Sequence, residues 1–126
     1  MKTVEEIRRN MAQAIGSMSY IKHQYGIIMT DGVNQLRQDA DAFWLIDAIG
    51  SYFSKYKQEF QVWELAVNLD KRTAVLTMKE DTHQPNLVTQ IISFTDFPLD
   101  SVKFYLQLGS LDGYTPNYIL MLPSEY

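Results

Sequence analysis

Phe60-Gln-Val-Trp-Glu-Leu-Ala-Val-Asn-Leu69 decides the fold, because here the apolar residues stop recurring every three or four positions and begin to alternate. Trp63, Leu65, Val67 and Leu69 fall on one side of an extended chain. Asp70-Lys-Arg72 reads as a polar turn, and residues 73–79 return as a second strand, so the pair forms a hairpin. Residues 80–86 are a polar loop, and residues 87–94 are a third strand, ended by Thr95-Asp-Phe-Pro98. Val102, Phe104, Leu106 and Leu108 alternate with Lys103, Tyr105 and Gln107, the cleanest half-buried strand in the chain. A loop with Gly109, Asp112, Gly113 and Pro116 leads to a last strand over residues 118–122. The polar links are short, and a parallel crossover needs a dozen or more residues, so antiparallel neighbours in a meander of four to five strands are expected.

Upstream of Phe60 the period is helical. Thr3-Val-Glu-Glu6 is a capping box, in which the Thr3 hydroxyl takes the Glu6 amide and the Glu6 carboxylate reaches back to the Thr3 amide. Val4, Ile7, Met11, Ile15 and Met18 then make one narrow apolar stripe. Gly16 and Ser17 weaken the run, which is expected to resume as helix from Tyr20 to Met29. Thr30-Asp-Gly32 is a turn or cap signal for a short helix from Val33 to about Gln38. Asp39 or Asp41 then caps an apolar helix over residues 42–57, whose broad face holds Ala42, Leu45, Ile46, Ile49, Tyr52, Phe53 and Tyr56. Helices followed by strands is the α+β pattern: N-terminal helices on one face of a C-terminal antiparallel sheet. One domain is expected over residues 1–126, with 1–16 as a helical extension, 17–59 as the helical part and 60–126 as the sheet.

Composition narrows the chemistry. With no cysteine, disulfides, thiolate zinc sites, iron–sulfur clusters and cysteine nucleophiles are excluded. The two histidines, His23 and His83, do not form an i, i+4 metal pair. No metal or cofactor is expected, and no nucleophile elbow or phosphate-binding glycine loop occurs. The first half carries seven basic and seven acidic residues, so the net charge of −4 lies wholly after residue 59. An acidic sheet is a poor surface for phosphate backbones, which argues against nucleic acid. The acidic N-terminus and the lack of a long apolar run point to a cytoplasmic chain with no membrane span.

The unusual residues are aromatic and acidic. Asp47 lies one turn after Phe43 and Trp44 and one turn before Ser51, on the minority face of an apolar helix that also holds Lys55. A carboxylate there must reach solvent or find donors, so it serves as a hydrogen-bond acceptor or as a base or ligand contact in a helix–sheet cleft. Trp44, Asp47, Trp63 and Asp96 are the candidate ligand-binding residues; none is assigned a catalytic role. Asp31 and Asp96 read as turn caps, and whether they converge with Asp47 is not decided by spacing.

Thr30-Asp-Gly-Val33, Phe43-Trp-Leu-Ile-Asp-Ala-Ile49, Phe60-Gln-Val-Trp-Glu-Leu65, Thr95-Asp-Phe-Pro-Leu99 and Leu122-Pro-Ser-Glu-Tyr126, in that order, resemble a family of uncharacterised bacterial domains of unknown function. The resemblance covers roughly residues 20–126, leaving the first helix as an addition. It implies a small stand-alone bacterial cytosolic protein, loosely linked to mobile elements, and assigns no activity or site residue. Taken together, these features point to a protein-interaction or binding module without its own catalysis, self-associating as a homodimer or docking on another protein. The apolar stripe is the expected interface. The alternative is a small ligand-binding protein or enzyme using Asp47.

Overall fold

The structure, a computed structural model, describes residues 1–17 and 19–126. Among the described residues three helices and seven strands follow one another in the order α1 (Val4–Gln13), β1 (Tyr20–Lys22), β2 (Ile28–Thr30), α2 (Asp31–Asp39), α3 (Phe43–Ser51), β3 (Phe60–Asn68), β4 (Thr73–Lys79), β5 (Val88–Ile92), β6 (Ser101–Gly109) and β7 (Asn117–Met121). A short 3₁₀ turn, Pro123–Glu125, closes the chain. The α+β class stands, but the sheet is larger than four to five strands and is not wholly antiparallel. Its seven strands lie in the order β1-β2-β7-β6-β3-β4-β5, and β2 runs parallel to β7.

The two additional strands come from residues 20–30, where a continuing helix was expected. Gly26 takes φ +100, a left-handed conformation that glycine enters without steric cost. The chain reverses there, with the Gly26 amide donating to the His23 carbonyl at 3.0 Å and the His23 amide to the Ile27 carbonyl at 2.8 Å. Tyr20, Ile21, Ile27 and Ile28 flank the turn, and aromatic and β-branched side chains favour strands over helix. Tyr20 pairs with Thr30 and Lys22 with Ile28, giving a short antiparallel hairpin.

The meander is also corrected. β3, β4 and β5 are successive antiparallel neighbours, but β6 returns to the far side of β3, the 4-1-2-3 arrangement of a Greek key. Residues 93–100 cross the end of the β3–β4 hairpin to make this possible. The Thr95 amide donates to the Arg72 carbonyl at 2.9 Å, and the Val67 amide donates to the Asp100 carbonyl at 2.8 Å. Phe97 and Leu99 go fully into the core from this crossing.

One face of the sheet meets the helices. Trp63 and Leu65 on β3, Leu76 on β4, Phe104 and Leu106 on β6 and Leu120 on β7 form one core with Val33 and Leu36 of α2 and Leu45, Ile46 and Ile49 of α3. α3 ends at Ser51, short of the expected Lys57, and neither Asp39 nor Asp41 caps it: Ala42 occupies the cap without a side-chain bond. Asp41 instead bends the chain between α2 and α3 at φ 49, a conformation that aspartate tolerates. Asp39 is buried and accepts from Asn10 Nδ2 at 2.9 Å and Gln35 Nε2 at 2.8 Å. A buried carboxylate is tolerated only with such donors, and the Asn10 bond ties α1 to α2.

The capping box at Thr3 forms as read, and its bonds to Thr3 hold the Glu6 carboxyl below its ordinary range. Ile7 is fully buried, Val4 and Met11 pack against the core, and Ile15 is 84 % exposed. Met18, the last residue of the stripe, lies outside the described residues.

The two halves of the chain meet where β2 lies beside β7. Thr30 caps α2 through its side chain, accepting from the Val33 amide at 3.3 Å. The Glu125 carboxylate accepts from the Thr30 hydroxyl at 2.7 Å, the Leu122 amide at 3.0 Å and the Gly32 amide at 3.2 Å. A carboxylate at a helix N-terminus also meets the positive end of the helix dipole. A Cβ on Gly32 would lie 2.7 Å from Glu125 Oε1 and 2.9 Å from the Ala14 Cβ, so only glycine admits both neighbours. Gly32→Ala is therefore expected to destabilise the protein by ~1–3 kcal/mol, by displacing Glu125 and crowding Ala14. Urea denaturation measures this, and an unchanged midpoint would contradict it.

Candidate functional site

The β1–β2 hairpin lies on α3, and the two elements meet at a histidine. His23 is buried, its side chain 3 % exposed, and its Nε2 lies 2.7 Å from Asp47 Oδ1. The Tyr25 amide donates to Nδ1 at 3.1 Å. An amide donor on Nδ1 makes that nitrogen an acceptor, so the ring proton sits on Nε2 and is donated to Asp47. Gly50, one turn after Asp47, makes room for the hairpin. A Cβ there would lie 3.0 Å from the Tyr25 ring and 3.3 Å from the His23 ring.

Asp47 thus faces neither pure solvent nor an empty cleft: it is the acceptor for a buried imidazole from another element, while its own side chain is 45 % exposed. With both ring nitrogens engaged, His23 is placed to orient Asp47 and not to take a proton from a substrate. The exposed side of the pair lines a hollow of about 270 Å³ with Lys22, Gln24, Met29, Arg37 and Phe43. Arg37 is held in place twice, its Nε donating to Asn34 Oδ1 at 2.9 Å and its guanidinium lying over the Phe43 ring at 4.8 Å from the centroid. Such stacking suits the planar, weakly hydrated guanidinium.

The other candidates are placed elsewhere. Trp63 is core, its indole donating to Gln61 Oε1 at 2.9 Å, and Tyr52 packs tilted against it at 5.7 Å. Trp44 is half-buried against the core. Asp96 is exposed on the crossing before β6, next to buried Thr95 and Phe97. Asp31 binds Ser19 through both carboxylate oxygens, at 2.5 Å to the hydroxyl and 3.1 Å to the amide. Asp31, Asp47 and Asp96 therefore stand on three separate elements, and of the three only Asp47 lines the His23 hollow. One carboxylate perturbation is structural. Asp112 is held well below its ordinary range, first by the Thr115 amide and then by the Tyr114 amide and the Thr115 and Ser110 hydroxyls, which knot the β6–β7 loop.

A helix over residues 20–29, as the sequence pattern suggests, would not bring His23 to Asp47. Gly26 was the available signal, since a turn there puts His23 at the mouth of a hairpin. Among the described residues no group of three or more His, Asp or Glu side chains could hold a metal ion. No helix among them is long and apolar enough to cross a membrane.

The chain belongs to DUF6876, a family of unknown function. The family model matches residues 5–126, so the match takes in α1 as well as the segments from Thr30 to Tyr126 that carry the resemblance. No curated protein and no solved structure matches the chain. Membership in DUF6876 assigns no chemistry to the Asp47 hollow, which stands on its geometry alone.

Asp47→Ala strands a buried imidazole N–H, an omission that costs ~1–3 kcal/mol. Asp47→Asn keeps an oxygen acceptor and is expected to lose less. Chemical denaturation of the two variants gives the comparison; no loss in Asp47→Ala would mean that the His23 bond contributes nothing to holding the hairpin on α3, and equal losses would mean that the carboxylate charge is needed.

Proposed function

We propose that this protein is a bacterial, cytoplasmic protein-interaction module that works by docking and carries no catalysis of its own. The observation that carries this reading is a row of exposed apolar side chains across three adjacent strands. Ala66 on β3 pairs with Val75 on β4, and Val75 pairs with Ile91 on β5. All three point away from the helices, Val75 being 36 % and Ile91 79 % exposed. Phe94, just past β5, is 72 % exposed. A hollow of about 590 Å³, lined by residues 66–70 and Asp100, opens beside the row.

β5 is also an edge strand, hydrogen-bonded only to β4 in the described sheet. An edge presents a free row of backbone donors and acceptors, and natural sheets blunt such edges with charge, proline or bulges. β5 reads Val-Thr-Gln-Ile-Ile and carries neither charge nor proline. A second chain laid against it would extend the sheet while covering Ile91, and each large aliphatic side chain fully buried adds ~1.5–3 kcal/mol before association costs. The α1 stripe is a weaker candidate, since Ile7 is already spent in the protein's own core and Ile15 alone of its described residues is largely exposed.

Self-association through β5 is the most direct form of this proposal. In sedimentation velocity at tens of micromolar, the intact chain is expected to run as a dimer and Ile91→Lys as a monomer with an unchanged circular-dichroism spectrum. A monomeric intact chain would contradict self-pairing, and a dimer indifferent to Ile91→Lys would move the interface off this edge.

A further inference from the structure

We infer that the hollow between the β1–β2 hairpin, α2 and α3 is a binding site for a small organic oxyanion, a carboxylate or a phosphate ester, with Arg37 and Lys22 as its receptors. The inference goes beyond the docking role and uses different residues. The chain carries a net charge of −4, yet this hollow is lined by two basic side chains and one carboxylate. That carboxylate, Asp47, is bonded to the buried His23, and no Arg37 or Lys22 ion pair within 4.0 Å occurs among the described residues. A basic pair inside a concavity of an acidic protein, without an ion-pair partner among the described residues while the acid that lines the hollow is bonded to a histidine, is an arrangement that an incoming anion completes.

Arg37 is prepared for that task. Nε is engaged by Asn34 and one face of the guanidinium by Phe43, so the group is held in one orientation before any ligand arrives. Its terminal amino groups form the planar fork that matches a carboxylate or phosphate, and fixing it in advance lowers the ordering cost of binding. Lys22 adds a second positive charge from the hairpin. Phe43, 45 % exposed, offers an apolar surface for the body of the ligand, and the volume of about 270 Å³ suits a molecule of metabolite size rather than a polymer. The His23–Asp47 bond fixes the hairpin that carries Lys22 against the helix that carries Phe43. It acts as a positioning pair, not as the receptor.

Titration of the ¹⁵N-labelled full chain with inorganic phosphate and with sodium benzoate, at ionic strength held constant with sodium chloride, tests the site. The expected result is saturable movement of the Arg37 Nε–Hε signal and of the Lys22–Gln24 amides, with an affinity about ten-fold weaker in Arg37→Gln. The exposed Lys22→Gln variant, which leaves the core untouched, is expected to weaken binding in the same direction. Tighter binding of phosphate identifies the receptor as phosphate-selective; tighter binding of benzoate identifies an aromatic carboxylate seated on Phe43. Linear, unsaturable shifts spread equally to Lys71 and Arg72 would overturn the inference, as would saturable binding unchanged in both variants.

Discussion

The parallel contact between β2 and β7 is the constraint on which the rest of the molecule depends. Without it the helical half would meet the sheet half only through the apolar core that α2 and α3 share with the sheet face. With it, a strand from residue 28 onward lies beside the last strand of the chain, Ile28 opposite Ile119 and Met29 opposite Leu120. Parallel pairing of such short strands is weak by itself, and the C-terminal turn reinforces it. Glu125 reaches from the far end of the sequence to the Thr30 hydroxyl and the Gly32 amide at the start of α2. One carboxylate thereby fixes the end of β2, the beginning of α2 and the exit from β7. The hairpin partner β1, and with it His23 and Lys22, is carried into place by the same junction.

Much of the sheet was legible because its strands are half-buried. In β6, Val102, Phe104 and Leu106 are buried while Lys103, Tyr105 and Gln107 are only partly so, and a two-residue period is visible in any sequence with that exposure. The β3–β4 hairpin was legible for the same reason, helped by the polar turn at residues 70–72. The β1–β2 hairpin was hidden because β2 is buried throughout, Ile28, Met29 and Thr30 alike, so its apolar run has no alternation to betray it. The Greek-key return of β6 was hidden for another reason. Short polar links show that strands reverse, but not which side of the sheet the next one joins; that choice is made by Phe97 and Leu99 finding core space across the hairpin end.

The candidate site divides in the same way. Asp47 stood out in the sequence because a carboxylate in an apolar helix requires a partner, and the structure supplies one. The identity of that partner depended on the hairpin at residues 20–30, so His23 could not be named before the hairpin was. Trp63 and Asp96 stand out by residue type alone, and the structure places the first in the core beside Gln61 and the second on an exposed crossing. Arg37 and Phe43 lie six positions apart on different helices, and only the bend at Asp41 brings the guanidinium over the ring. Pairings across a change of direction are invisible to spacing rules, which describe one element at a time.

The central claim is that the Glu125 junction holds β2 and the start of α2 against β7. Native-state hydrogen exchange on Glu125→Ala tests it most directly, because opening of separate parts of a fold is read amide by amide. The account predicts that protection falls together at the start of α2, in β2 and in β7, while the β3–β4 ladder keeps its protection. Loss confined to residues 122–126, with β2 and α2 unchanged, would contradict it.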